Sequence, residues 1–455
     1  MPAGPENKNR KDRREGADFQ VRPFKRTNAM IRRRFCTLLL LPLAALWIPA
    51  GWGDIVAREG RGYLEIVNGQ RVLHLKGTPR EMGYQHGKLL KDLVVTNLKN
   101  IIDNQTKLGK TKEYMMYKML RGGMHNRLLP HIPERFLEEM RGLAEGAELP
   151  FDEILAGNLF PEAFHCSGIA LMGKATRDGS LYHVRVLDYI TEAGLQDHAV
   201  VMIVEPDDGH AFINISYAGF IGSITGMNDQ QITIGEMGGA GQGYWDGMPM
   251  SLLIRDTLER ASTLKEALKI YNNTPRTCEY FYVISDAKIP DARGIYSTPK
   301  QIHFVKPGEN FGMFDVPLPP AGDSGGNRLL VKGFELVQSP VQTLIQSADG
   351  KTLGFLNTPP EDSVILSGDD RYRFFAERLL ENYGKVDAML LQEMIKRPVA
   401  MKGNLHNAIF HPATLEVWVA NAGPKGEPAC DQPYYHYRLI PENNKDTAVE
   451  TSMAK

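Results

Sequence analysis

The stretch Glu162-Ala163-Phe164-His165-Cys166-Ser167-Gly168 marks a change in the character of the chain. Before it, apolar residues recur with the spacing of helices; after it, short apolar runs alternate with turn residues, as is typical of strands. Cys166 therefore stands where a mainly helical half meets a β half. A cysteine at the beginning of a strand is our first candidate nucleophile, and a buried, inert cysteine is the common alternative.

Upstream of this junction, residues 54–165 form a mainly helical segment after a hairpin-like start at 62–75. The stretch 77–87 begins a helix that is predicted over 82–98, and we interpret it as structural. Pro133 suits a first helical position, and the apolar residues after it fall on one helix face: Phe136, Leu137, Met140, Leu143 and Ala144. A further apolar run at 151–160 leads directly into the junction.

Downstream of the junction, residues 166–440 read as paired strands, then helices, then strands again. Strands at 169–175 and 181–188 flank Asp178-Gly179, which is a strong signal for a two-residue hairpin turn. Helices are predicted over 250–260, from Thr263 with Glu266 as a capping box, and near 371–383 and 387–395. This order predicts an α+β fold with layered sheets.

The overall charge excludes little. The 455 residues include 53 Lys plus Arg and 54 Asp plus Glu, so the net charge of −1 indicates neither a nucleic-acid-binding protein nor an acidic tail. A hydrophobic content of 42% is sufficient for a large core. No phosphate-binding glycine motif accompanies a strand-to-helix turn, and we expect no cofactor.

The N-terminal region has the pattern of a secretory signal. Residues 1–29 are polar and are predicted to be disordered or untranslated, whereas residues 30–53 combine a charged start, an apolar run and a small-residue end. The expected location is therefore periplasmic or extracellular; an uncleaved membrane anchor is the alternative. We predict a loop over 308–326 and a frayed tail over 441–455.

Export changes how the cysteines are interpreted. Cys36 would leave with the signal peptide, so three cysteines remain in an oxidising compartment. A disulfide between Cys278 and Cys430 would leave Cys166 as a free thiol. Three buried, unpaired cysteines are the other interpretation.

Cys166 has a candidate base in its own amine. If the chain cuts itself between His165 and Cys166, the freed α-amine has a reference pKa of about 8 and can accept the thiol proton. Counted from a two-residue turn, Asp188 lies opposite Ile169 and Thr191 opposite Cys166.

The same count predicts which side chains share a face with the thiol. It places Arg185 on the face of Cys166 and Asp188 on the other face. A one-residue bulge would be needed to turn Asp188 towards the amine, and bulges are common beside active sites. A surface Arg–Asp pair of little energetic value is the alternative.

The order of several motifs resembles the peptidase family that contains isopenicillin N acyltransferase and, more distantly, the choloylglycine hydrolases. The motifs are Gly77-Thr78-Pro79-Arg80-Glu81-Met82-Gly83-Tyr84-Gln85-His86-Gly87, Cys166-Ser167-Gly168, Arg185-Val186-Leu187-Asp188-Tyr189, Gly219-Phe220-Ile221-Gly222 and Thr225-Gly226-Met227-Asn228. The likeness continues through 252–268 to 417–420.

The resemblance implies an αββα sandwich of the N-terminal-nucleophile (Ntn) hydrolase type, self-cleavage into two associated chains, and attack by Cys166 on an acyl amide or thioester. It further implies that Arg185 and Asp188 lie beside the nucleophile and that Asn327 helps to bind the oxyanion. Arg371 matches a further active-site arginine, and Arg373 is nearly as good a candidate.

The chain departs from the family pattern at three positions. His165 stands before the nucleophile where a small residue is expected, and the strand at 234–239 lacks the second asparagine of the bile salt hydrolases. Backbone N–H groups near Gly238 and Gly239 could replace that asparagine as oxyanion donors. The strand at 278–281 lacks an asparagine that the acyltransferase has.

The remaining candidates favour structural roles. The histidine pairs His74 with His86 and His406 with His411 do not have the spacing of metal ligands, so we predict no metal site. The methionines at 227, 237, 248 and 250 could line an acyl pocket, although core filling is their usual role.

The sequence therefore predicts an exported amidohydrolase or acyltransferase that acts on a small acyl amide, with hydrolysis favoured in an aqueous compartment. One alternative is a binding protein with the same fold and no turnover. The other is a thiol hydrolase that does not cut itself and uses His165 or His183 as its base. The acyl group, the leaving amine and self-association are left open.

Overall fold

The computed structural model describes residues 53–107, 124–159, 165–189, 191–238, 244–309, 344–346, 352–355 and 359–439. At 102–107, 165, 193, 344–346, 352–355, 369 and 370 it describes the backbone alone. The chain divides into two compact units, 1–50 and 51–455, and the first lies wholly outside the described residues. The predicted extension 1–29, the signal segment except Gly53, the loop from 310 to 326 and the tail 441–455 also lie outside them.

In chain order, the described strands are β1 Asp54–Glu59, β2 Gly62–Val67, β3 Gln70–Gly77, β4 His165–Leu171, β5 Tyr182–Asp188, β6 Ala199–Pro206, β7 Phe212–Tyr217, β8 Thr225–Asn228, β9 Ile232–Gly238, β10 Tyr280–Asp286, β11 Asp291–Ser297, β12 Ile302–Val305, β13 Leu344–Gln346, β14 Thr352–Phe355, β15 Ser363–Ser367, β16 Asn404–His411, β17 Glu416–Asn421 and β18 Tyr435–Arg438. The described α-helices are α1 Pro79–Leu89, α2 Lys91–Lys107, α3 Met124–Leu128, α4 Glu134–Ala147, α5 Phe151–Asn158, α6 Met250–Arg260, α7 Leu264–Asn273, α8 Asp369–Glu381 and α9 Ala388–Met394.

Two sheets dominate the described part of the chain. The larger has the strand order β1-β2-β3-β6-β7-β8-β9-β10-β11-β12, and the smaller has the order β15-β4-β5-β16-β17-β18. Every pairing in them is antiparallel except that of β3 with β6. Because β3 lies before the junction and β6 after it, the N-terminal segment is built into the larger sheet.

The apolar residues form separate layers that set the order of the elements. Between the sheets, Ile203 and Ile213 of the larger sheet pack with Phe410 and Val419 of the smaller one. Side chains of α8 and α9 cover the outer face of the smaller sheet. Side chains of helices α1, α2, α4 and α6 pack with residues of the larger sheet. The predicted α+β fold, with two sheets between helices, is confirmed.

Helix α1 begins where local chemistry favours a start. Thr78 caps it, its hydroxyl accepting from the Glu81 N–H while the Glu81 carboxylate accepts from the Thr78 N–H, and Pro79 occupies the first turn. The predicted helix over 82–98 is two helices, because Leu90 ends α1 before α2 begins at Lys91. The structural interpretation of the 77–87 stretch agrees with this capping.

The hairpin between β4 and β5 differs from the prediction. A 3₁₀ turn at Gly173–Ala175 precedes Asp178-Gly179, so the connection is longer than two residues. The register therefore pairs Cys166 with Leu187 and His165 with Asp188, not Asp188 with Ile169 or Thr191 with Cys166. A turn inside the connection had no strong sequence signal, and each added residue moves the register.

None of the helices within the described ranges combines the length and the apolar character that a membrane crossing requires.

Candidate active site

Cys166 lies at the beginning of β4, on the face that packs against the larger sheet. Two residues along the same face, a Cβ atom at Gly168 would lie 2.6 Å from the sulfur of Met237 on β9. The thiol is buried, and burial raises its pKa to about 12, although Arg185 acts in the opposite direction. In the uncut chain the thiol is therefore protonated at neutral pH.

Arg185 lies on the same face as Cys166, as the strand period predicted, because it pairs with Gly168 across β4 and β5. Its guanidinium is completely buried. It donates to the Val186 carbonyl at 2.6 Å and forms an ion pair of 3.3 Å with Glu236 of β9. The positive charge next to the thiol is thus held in place from both sheets.

Glu236 is a site residue that the sequence analysis missed. It lies fully buried within β9, in a strand of otherwise apolar and small residues. Arg185 lowers the pKa of Cys166, and the Glu236 carboxylate raises it. The signal was present in the sequence: a carboxylate inside a buried strand needs a partner.

Asp188 ends β5 on the opposite face from Cys166, and it is directly opposite His165. Its Oδ2 atom accepts from Arg371 at 2.6 Å, and its Oδ1 atom accepts from the Met401 N–H at 2.9 Å. Burial raises the pKa of this carboxyl to about 6, while Arg371 lowers it. The carboxylate is therefore ionised at neutral pH and adjoins the peptide that precedes the nucleophile.

Arg371 connects Asp188 to the main chain of the nucleophile. From the first turn of α8 it donates to the Cys166 carbonyl at 3.3 Å as well as to Asp188. Arg373, the other arginine considered, instead forms a 3.4 Å ion pair with Glu377 on the same helix. The geometry therefore favours Arg371 as the arginine of the candidate site.

A β-bulge does occur beside Asp188, but on another strand than expected. The register of β16 against β5 shifts between Asn404, opposite Asp188, and His406, opposite Leu187. Leu405 is the extra residue. Strands β4 and β5 pair without interruption from His165 to Leu171, so no bulge turns Asp188 to the face of the thiol. Asp188 is instead connected to the nucleophile through Arg371, which donates to both Asp188 and the Cys166 carbonyl.

Asn327, the predicted oxyanion donor, lies outside the described residues, as do Gly239 and the side chain of His165. Gly238, the other predicted backbone donor, ends β9 opposite Tyr280. The described part of the site therefore consists of Cys166, Arg185, Asp188, Glu236 and Arg371.

His183 does not lie next to the thiol. It pairs with Ala170, four residues along β4 from Cys166, which is about 13 Å at the rise of a strand. Its Nδ1 atom shares a 2.8 Å hydrogen bond with Ser285, and burial lowers its pKa to about 3. A separate-histidine mechanism that uses His183 has no support in this geometry.

The four histidines considered as metal ligands have structural partners. His86 accepts from the Gly219 N–H, His74 bonds Glu65, His406 bonds both Tyr217 and Thr225, and His411 bonds Thr414. Within the described ranges, no three His, Cys, Asp or Glu side chains are grouped as metal ligands.

Of the two interpretations of the cysteines, the structure agrees with three thiols that form no disulfide. Cys278 and Cys430 are both buried, and they belong to different parts of the core. Cys278 precedes β10 in the core that includes Cys166, whereas Cys430 lies under α9 beyond the smaller sheet. Counting an odd number of thiols carries no information about their separation in the fold, so the count could not decide between a disulfide and three separate thiols.

The chain is similar to known proteins over about half of its length. The chain is 29% identical to protein dcd1B of Dictyostelium discoideum over 233 residues, which are 46% of this chain and 47% of that protein. It is 26% identical to acid ceramidase of Heterocephalus glaber over 231 residues, 45% of this chain and 56% of the relative. The chain thus spans about half the length of the curated relatives that it matches.

A solved structure, the Caenorhabditis elegans ortholog of N-acylethanolamine-hydrolyzing acid amidase, aligns with a TM-score of 0.37 at 15% identity, covering 60% of this chain and all of that one. The model of one protein family matches residues 175–296, a range that includes Arg185, Asp188 and Glu236. That family is the acyl-coenzyme A:6-aminopenicillanic acid acyl-transferases, and the resemblance predicted from the sequence motifs is thereby confirmed over this range.

Proposed function

We propose that this chain is a self-cleaving amidohydrolase whose nucleophile is the thiol of Cys166, freed as an N-terminal residue when the His165–Cys166 peptide is cut. The observation that carries the proposal is the convergence of four charged side chains on the start of β4. Arg185 and Glu236 lie on the side of the thiol, and Asp188 and Arg371 lie on the side of the preceding peptide.

The uncut chain holds the thiol in a state that suits an intramolecular step. Since burial keeps the Cys166 thiol protonated, attack on the His165 carbonyl requires transfer of the thiol proton as the bond forms. The C–N bond of the peptide then breaks, the nitrogen takes the proton, and a thioester joins His165 to the sulfur. Water hydrolyses this thioester and leaves a carboxylate on His165 and a free amine on Cys166.

The free amine supplies the base for turnover. It takes the thiol proton, the sulfur attacks the acyl carbonyl of the substrate, and the departing amine carries the proton away. Water then hydrolyses the acyl-thioester. In this proposal the Asp188 carboxylate, which accepts from Arg371 and from the Met401 N–H, holds the new ammonium group.

An acyl amide is the substrate class that this chemistry favours. The relatives similar to this chain include acid ceramidase, and the family model that matches residues 175–296 describes acyl-transferases. Transfer of the acyl group to an amine instead of water is the alternative outcome at the same thioester. An exported enzyme meets water more readily than intracellular acyl donors, so we favour hydrolysis.

We retain export as part of the proposal. The support is the charged start at Arg32 to Arg34, followed by an apolar run and a small-residue end within residues 30–53. N-terminal sequencing of protein recovered from the medium or periplasm tests it. A first residue near 54 supports cleavage of a signal peptide, whereas a start at Met1 or Met30 rejects it.

Self-cleavage is tested by comparing two cysteine variants. Purified wild type should run as two chains, the larger beginning at Cys166, and Cys166→Ala should remain one chain without amidase activity. Cys278→Ala is the matched control, because Cys278 is also a buried cysteine of the same core that forms no disulfide, and it should cut like wild type. Edman sequencing of the separated chains identifies the new terminus.

The other outcomes of that experiment separate the rival functions. An uncut wild type with amidase activity supports a thiol hydrolase with a separate base. An uncut wild type that binds acyl amides with no turnover supports the binding-protein interpretation.

A further inference from the structure

The main chain of the loop Ala218–Ile221, between β7 and β8, is held by side chains from the other half of the molecule. Gly219, with φ +95°, forms the left-handed turn that this loop requires. The loop directly follows Tyr217, a neighbour of the candidate site. Burial raises the pKa of Tyr217, and Cys166 and Arg185 act electrostatically on that pKa. We call this stretch the 218–221 loop.

Three buried residues of the N-terminal segment bond this loop. Asn97 of α2 donates to the Ala218 carbonyl at 2.7 Å, and His86 of α1 accepts from the Gly219 N–H at 2.9 Å. Asn158, the last residue of α5, donates to the Gly219 carbonyl at 3.0 Å and accepts from the Ile221 N–H at 2.8 Å.

Asn158 makes the most specific of these contacts. Its amide forms hydrogen bonds on both sides, and the same nitrogen also donates to the Ile154 carbonyl of its own helix at 2.9 Å. A buried amide whose donors and acceptor are all used has one orientation, because any rotation leaves polar atoms unpaired. The end of α5 is thereby fixed in both position and direction relative to the larger sheet.

The position of Asn158 in the chain gives this contact its significance. Six residues, 159–164, separate it from His165, so the scissile peptide lies within about 25 Å of chain from the fixed amide. At the other end, His165 is already paired with Asp188. Asn158 and His165, the residues on either side of this connection, are therefore both held by hydrogen bonds before any cut is made.

We propose that Asn158 is a positioning residue for self-cleavage: by fixing the end of α5 on the 218–221 loop, it holds the His165–Cys166 peptide in the geometry that the thiol attacks. This inference rests on the proposed self-cleavage. An intramolecular attack depends steeply on how closely the reacting atoms are held, and loosening one anchor of a short connection increases the conformations in which they are apart.

Asn97 offers a matched control. It is a buried asparagine of the same segment that bonds the same loop, but it lies on α2, far in sequence from the cleavage point. A residue that acts only by stabilising the fold would affect cleavage through stability alone, and the two asparagines would then behave alike.

The experiment follows scission in time. The full chain is made by cell-free synthesis, samples are run on denaturing gels, and the half-time for appearance of the chain beginning at Cys166 is measured for wild type, Asn158→Ala and Asn97→Ala. Melting temperatures are measured on Cys166→Ala backgrounds, which stay uncut. We expect Asn158→Ala to lengthen the half-time at least tenfold, and Asn97→Ala to cut at nearly the wild-type rate despite a comparable loss in melting temperature.

Each result decides one question. Equal cutting rates in the two variants, or slowing in proportion to lost stability, overturns the role of Asn158 while leaving self-cleavage in place. A wild type that never cuts rejects the proposed self-cleavage and this role with it. If Asn158→Ala does not fold, Asn158→Asp, which retains the shape and the acceptor for Ile221 but not the donors, takes its place; wild-type cutting by it contradicts the proposal.

Discussion

Asp188 combines a buried carboxylate with two fixed donors, Arg371 and the Met401 N–H. Such a group contributes more to orientation and charge at the nucleophile than to the stability of the fold, because ionising it in a buried place offsets much of what its partners provide. We therefore expect Asp188 to contribute mainly to catalysis.

We expect Asp188→Asn to lower kcat/KM for acyl amides by at least a hundredfold, because an amide cannot hold the ammonium of Cys166 as a carboxylate does. The melting temperature should change much less. Glu377→Gln, on the exposed ion pair with Arg373, is the control for removing a carboxylate near α8 and should leave the rate unchanged. An Asp188→Asn enzyme with wild-type rate contradicts the assignment.

The same carboxyl predicts a pH dependence of stability in the uncut Cys166→Ala protein. Its pKa is raised from 3.8 to about 6 on folding, so the folded state keeps this proton where the unfolded state has lost it. The stability from this group is complete below about pH 4 and is lost as the pH rises to about 6, a change of about 3 kcal/mol. Urea unfolding across this range, with the additional change Asp188→Asn as reference, should show the difference; parallel pH profiles would contradict it.

For single residues, the sequence predicted which side chains belong to the candidate site better than it predicted where they lie. The prediction that Cys166 and Arg185 share a face holds although the register was wrong, because Asp188 lies opposite His165 and not Ile169, an even displacement along a strand of period two. The partner of Arg185 was missed because a single carboxylate, Glu236, has no spacing pattern around it. Arg371 was identified only through the family resemblance, since it lies 205 residues from the nucleophile whose carbonyl it bonds.

Among the elements, helices α1 and α4 pack unusually closely. A Cβ atom at Gly83 would overlap the Glu139 carbonyl, one at Gly142 would overlap the Arg80 carbonyl, and Gly87 and Gly146 are in similar contact with the opposite backbone. This explains the glycines of the 77–87 stretch physically: they allow two helix backbones to touch. The helix pair carries both His86 and Glu139, which contact the part of the chain beyond the junction.

We expect Gly83→Ala to destabilise the protein by about 2 kcal/mol or more, despite the better helix propensity of alanine, because backbone cannot move aside as a side chain can. Gly157→Ala is the matched control, since a methyl group there meets only the end of the Leu98 side chain. Chemical denaturation measures both free energies of unfolding. Equal effects of the two substitutions would contradict the close packing of α1 on α4.

Most helices and strands followed from periodicity and capping, including α6 at its predicted bounds of 250–260. The pairing of strands did not, because the connection between β4 and β5 contains a 3₁₀ turn and because β3 pairs in parallel with a strand beyond the junction. Pairing between strands that are distant in the chain produces no pattern in the sequence of either strand alone. The bulge at Leu405 likewise depends on which strand adjoins β5.

For the whole molecule, the question is what keeps the two halves together if the chain is cut before Cys166. Strand β3 of the first half pairs with β6 of the second from Val72 to Gly77. Arg255 of α6 is buried. Its two terminal guanidinium nitrogens donate to the Glu139 carboxylate of α4 at 2.7 and 2.6 Å, and its Nε atom donates to Glu259 at 2.9 Å. The sheet and this ion cluster join residues on opposite sides of the cut.

The ion cluster gives a prediction for the cut protein. Glu139→Gln leaves the buried Arg255 with one carboxylate instead of two, and removal of one partner from a buried pair typically costs about 3 kcal/mol or more. The two chains of this variant should separate at lower urea concentrations than those of wild type, as measured by size-exclusion chromatography under graded denaturant. Glu138→Gln changes the neighbouring residue of α4 in an exposed pair with Arg80 and should have little effect, since water screens that pair. Separation of both variants at the wild-type urea concentration would mean that the β3–β6 pairing holds the halves together without the cluster.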